Sequence, residues 1–82
     1  MKHLIIAREH VNKSGFKETI YKERRFLLVR IVHPNKFCNG FRVSGDGWGY
    51  DPKATEDEAR RSAESYLNRY FSICGGCSII YK

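Results

Sequence analysis

The sequence predicts a small α+β fold: an antiparallel β-sheet of three to five strands, one C-terminal amphipathic helix on one face, and a short final strand. Three observations predict it. The stretch Arg24–His33 is dense in β-branched and aromatic side chains. The residues after Thr55 carry apolar positions at helical spacing. The chain has 82 residues, enough for one hydrophobic core and one domain over 1–82.

Taken in order, Lys2–Arg8 reads as a first strand through Leu4-Ile5-Ile6. Lys13–Glu23 reads two ways, as the continuation of a hairpin or as a short helix capped by Ser14. Arg24–His33 is a strand ended by Pro34 and Asn35, and Gly40–Gly45 is another. Gly45-Asp46-Gly47 is a turn, and Trp48-Gly49-Tyr50 forms one more short strand before Asp51-Pro52. Ser78–Tyr81 is the final strand.

The helix follows Thr55. Thr55 with Glu58 three residues on is a capping-box pattern, and Glu56, Asp57 and Glu58 suit the positive end of the helix dipole. Ala59, Ala63, Tyr66, Leu67, Tyr70 and Phe71 form one apolar stripe, with Arg60, Arg61, Glu64, Asn68 and Arg69 opposite. Gly75 and Gly76 supply a left-handed stop. Two-layer packing sets this stripe against the sheet. Alternation then turns Leu27, Val29 and Ile31 toward the helix. Phe26, Leu28, Arg30 and Val32 fall on the other face, beside Arg42, where one helix cannot cover them.

Several motifs invite a chemical reading. Cys74-Gly75-Gly76-Cys77 has redox spacing, but it follows the helix, where the dipole disfavours a thiolate. A glycine stop flanked by two thiols is the simpler account. His33, Cys38, Cys74 and Cys77 have the ligand types of a zinc site, with one half-site lacking recognised spacing. Gly45-Asp46-Gly47-Trp48-Gly49 does not run into a helix start, and Asp46 would repel phosphate. His3, His10 and His33 have no evident carboxylate partner or nucleophile motif. The expectation is a protein that is not an enzyme and needs no cofactor or metal.

The 15 basic and 9 acidic residues give a net charge of +6. The excess lies wholly in Met1–Tyr50, since the remainder is balanced. Three cysteines, an odd number, fit a cytoplasmic protein better than a secreted disulfide framework. No apolar run is long enough to span a membrane. Cations interleave with aromatics at Phe26 and Arg30, Phe41 and Arg42, and Trp48 and Tyr50, as on nucleic-acid surfaces.

The order of Phe26, the glycine-rich stretch Gly45–Gly49, and Ala59 and Ala63 on a final helix resembles the second half of a double-stranded RNA-binding domain. The resemblance implies shared architecture over about half the chain. That family places lysines at the helix start, where this chain has Thr55-Glu56-Asp57-Glu58, so no RNA-contacting residue carries over.

Two functions are expected from these readings. The first is a non-catalytic module binding nucleic acid, or a complex that handles it, through Arg24, Phe26, Leu28, Arg30, Arg42 and Trp48. The second is a protein-binding inhibitor, similar in size and style to phage and mobile-element proteins such as anti-CRISPR proteins. There the same face would anchor a protein partner, or a second copy in a homodimer.

Overall fold

The structure is a computed structural model describing residues 3–24, 26–35, 40–45 and 48–82, without the side chains of 34, 35 and 48–51. Five strands run as an antiparallel meander: β1 (His3–Val11), β2 (Lys17–Glu23), β3 (Phe26–Asn35), β4 (Gly40–Gly45) and β5 (Trp48–Lys53). Helix α1 (Glu56–Tyr70) then leads through a 3₁₀ turn (Ser72–Cys74) to β6 (Cys77–Tyr81). The spatial order is β5-β4-β3-β2-β1-β6, with β6 parallel to β1. The expected α+β layering therefore holds, in a sheet that has six strands and is mixed. A parallel partner needs a crossover, and α1 provides it by passing from the β5 edge to the β6 edge.

Residues 13–23 resolve to a turn and a strand. Asn12 Oδ1 accepts the amides of Ser14 and Phe16 at 2.9 and 3.0 Å, and Gly15 takes a φ of 86°. An Asn side chain standing in for a backbone carbonyl folds the hairpin here, so Ser14 caps no helix. At the other end of the sheet, Gly45 pairs with Trp48; residues 46 and 47 of the expected turn lie outside the described residues. β5 continues through Pro52, which an edge strand tolerates because its outward amide needs no partner.

Helix α1 starts as the sequence indicates, with Thr55 Oγ1 accepting the Glu58 amide at 3.2 Å. Its stripe buries Ala59, Ala63 and Leu67, followed by Phe71, against Ile5, Ala7, Tyr21, Val29, Ile31 and Val43. Tyr66 is only partly buried, and Tyr70 is exposed. The helix ends earlier than the glycine pair implied: Phe71 is its C-cap, and Gly75, at φ 86°, instead closes the 3₁₀ turn.

The strand β3 corrects one expectation. Tyr21 pairs with Val29, but Lys22 pairs with Leu27, so Leu28 is an extra residue in a β-bulge. The bulge sends both Leu28 and Val29 into the core, and alternation resumes with Leu27 on the opposite side. Leu28 is 7% exposed and Leu27 is 40% exposed, the reverse of simple alternation. Leu28 therefore leaves the set of candidate contact residues.

Candidate nucleic-acid interface

The sheet face away from α1 is defined by register. Arg8, Ile20, Arg30 and Ser44 form one row across β1–β4, each paired with the next. The row beside it is His10, Glu18, Val32, Arg42 and Pro52, and the row on its other side includes Ile80, Ile6, Lys22 and Leu27. Arg30 and Arg42 are diagonal neighbours, as are Arg8 and Lys22, with backbone separations of about 7–8 Å. Arg8, His10, Lys22, Arg30 and Arg42 are all exposed, while Ile6, Ile20 and Val32 are half-buried between them.

Among the described residues, Glu18 is the one acid that the register places on this face. Glu18 is 5% exposed, with Oε2 at 3.3 Å from Arg30 Nε and Oε1 at 3.1 Å from His10 Nε2. Its carboxylate thus anchors Arg30 on a face that also carries Arg8, Lys22 and Arg42.

The helix side is balanced differently. Glu56, Asp57, Glu58 and Glu64 share it with Arg60, Arg61 and Arg69. Arg60 bonds Glu56 at 2.8 Å and lies 3.9 Å from Glu9, while Lys17 pairs with Glu9 at 3.1 Å. The Lys17 hydrogen bond holds the Glu9 carboxyl below its ordinary pKa. Arg60 and Lys17 on this side are engaged by acids; in the described rows of the open face the cations outnumber the acid.

Helix and sheet are also tied by hydroxyls. Tyr21, fully buried, reaches Tyr81 Oη at 2.6 Å, and Tyr81 donates to Glu64 Oε2 at 2.7 Å. Burial pushes the Tyr21 phenol up to about 12, and burial with these bonds also raises Tyr81. On the same side His33 contacts Thr19 Oγ1 at 3.2 Å and the Phe41 ring at 5.1 Å. Burial lowers its pKa. Phe41 thus faces the helix layer and is absent from the open face.

The sequence-derived set is therefore divided. Arg30 and Arg42 share the open face. Phe26, paired with Glu23 and next to open-face Leu27, falls by register on the helix side, not on the expected open face, and is 72% exposed. Arg24 is exposed in the β2–β3 turn with a φ of 55°. Trp48 lies in β5, and its side chain is outside the described residues, as is all of Cys38.

The described members of the candidate zinc set, His33, Cys74 and Cys77, do not converge. His33 and Cys77 are separated by β2 and β1 and lie at opposite ends of those strands, about 30 Å apart at standard sheet spacings. Cys77 Sγ instead donates to Asn68 Oδ1 at 3.7 Å, and Cys74 is exposed. No group of three or more potential ligands occurs among the described residues. No described helix is long and apolar enough to cross a membrane.

Sequence reasoning missed Arg8, Lys22, Ile6 and Ile20. Their signal was present as alternation in β1 and β2, but their shared face follows only once the Asn12 turn fixes the register.

Comparison with known proteins gives no match among family models, curated proteins or solved structures.

Proposed function

We propose that the protein is a non-catalytic nucleic-acid-binding module whose open sheet face contacts phosphates. The observation supporting this reading is the placement of Arg8, Lys22, Arg30 and Arg42 on the face that α1 leaves uncovered. Cations on a broad sheet surface release condensed counterions when they replace them on a polyanion. Four such contacts correspond to a slope of about −3 to −4 in log affinity against log salt. The test is fluorescence anisotropy with labelled DNA and RNA oligomers between about 50 and about 200 mM salt. Affinity should fall by about two orders of magnitude over that range. Arg42→Glu and Arg8→Glu should each weaken binding and flatten the slope while the circular dichroism spectrum stays unchanged. Binding that ignores salt, or no binding at all, would remove this reading.

A second reading, docking to a protein of a nucleic-acid-handling complex, is favoured by the β6 edge. Cys77–Tyr81 contains no charged residue, and Ile80 and Tyr81 are exposed along it. An unprotected edge can accept an added strand from a partner. A partner retained after nuclease treatment and high salt, and lost in Ile80→Glu, would support this reading over the first.

A further inference from the structure

The open face is not uniformly polar. Between β1 and β2 it holds a groove of about 470 Å³ lined by Ile6, Arg8, Glu9, His10, Ile20, Lys22 and Arg24. Ile6 and Ile20 are half-buried along it, and Arg8, Lys22 and Arg24 are exposed. Arg24 lines this groove from a left-handed backbone conformation, at φ 55°, which costs a residue with a Cβ.

We infer that this groove holds a nucleotide unit of a single strand, its base against Ile6 and Ile20 and its phosphates on Arg8, Lys22 and Arg24. The inference rests on the nucleic-acid reading above and narrows it to single strands. An anion alone would satisfy the cations but leave the apolar side chains wet. A base attached to a phosphate covers both, and base faces are accessible only when they are not stacked inside a helix.

The contrast with a purely electrostatic surface is sharp. Duplex DNA has the higher charge density and the steeper counterion release, so cations acting alone favour it over a single strand. Preference for the single strand therefore reports the apolar part of the groove.

The test compares a labelled single-stranded oligomer, as DNA and as RNA, with its duplex at the same salt. The single strand should bind about tenfold tighter. Ile20→Asn should lower single-strand affinity by about tenfold and leave duplex binding unchanged. Ile20→Tyr, which adds a ring for stacking, should raise single-strand affinity, a gain that loss of fold cannot produce. Equal or tighter binding of duplex, with both Ile20 variants like the parent, would overturn the inference and leave the phosphate-binding reading standing. Absence of binding to every oligomer would overturn both.

Discussion

Glu18 lies 3.3 Å from Arg30 on the face of the sheet that no helix covers, and it is nevertheless 5% exposed. His10 holds its other oxygen at 3.1 Å. The carboxylate is thus the one negative charge in the open-face rows that carry Arg8, Lys22, Arg30 and Arg42. Glu18→Gln keeps the volume and removes the charge. It should tighten nucleic-acid binding several-fold at about 50 mM salt, with the gain fading by about 200 mM as screening takes over. Anisotropy titrations at the two salts check this; weaker binding would mean that orienting Arg30 matters more than net charge.

The Tyr21–Tyr81–Glu64 chain predicts an asymmetry between two similar substitutions. Tyr81→Phe leaves the buried Tyr21 hydroxyl without its acceptor, costing about 1–3 kcal/mol. Tyr21→Phe removes the buried hydroxyl itself and leaves the Tyr81 bond to Glu64 intact, so it should cost less. Urea unfolding of the two variants gives the order. The chain also sets an alkaline limit. Both phenols are raised in the folded state, so their contribution is full below pH ~10 and is lost as pH rises above it. A stability profile from pH 8 to about 12 should fall more steeply in the parent than in Tyr21→Phe.

His33 works in the opposite direction. Burial beside Thr19 and Phe41 lowers its pKa below the ordinary value of ~6.5, with Lys17 and Arg60 adding to the shift and Glu56 and Glu9 opposing it. The unfolded chain therefore takes up this proton before the folded one does. The stabilisation is full above pH ~6.5 and is lost as pH falls toward the depressed folded value. His33→Gln can keep a hydrogen bond to Thr19 without titrating. Urea midpoints between pH 7.5 and 5.5 should fall less in that variant than in the parent.

Gly40 has a local requirement of another kind. A Cβ there would collide with the carbonyl oxygen of Lys53 on the neighbouring strand, a backbone atom that cannot rotate away. Gly40→Ala should cost about 1–3 kcal/mol through forced strand separation. Thermal unfolding should show the transition lowered by roughly 4–8 °C for each kcal/mol. An unchanged transition would mean that β4 and β5 can part without cost at that position.

Features written in one stretch of sequence were legible. Thr55 and the 3.6-residue stripe specify α1, and Arg30 and Arg42 sit on the open face because they belong to a continuous hairpin. What was not legible depends on distant or non-periodic choices. Nothing within Cys77–Tyr81 states that it will pair in parallel with β1, because that placement comes from where α1 delivers the chain. Arg8 and Lys22 join the site through a register set by Asn12, whose side chain accepts the Ser14 and Phe16 amides and closes the turn.

The bulge in β3 is the part of the fold that alternation misassigned, and it makes the sharpest stability prediction. Leu27 and Leu28 are adjacent and chemically identical, so intrinsic strand preference cannot distinguish them. Their surroundings do: Leu28 packs in the core at 7% exposure, whereas Leu27 is 40% exposed opposite Lys22. Leu28→Ala should cost about 2–4 kcal/mol through lost burial and the cavity left behind. Leu27→Ala should cost about 1 kcal/mol or less, in proportion to the smaller apolar area it covers. If strict alternation governed β3, the two costs would be reversed. Urea unfolding of the two variants therefore decides which leucine the core holds, and equal costs would show that β3 does not keep the bulge in solution.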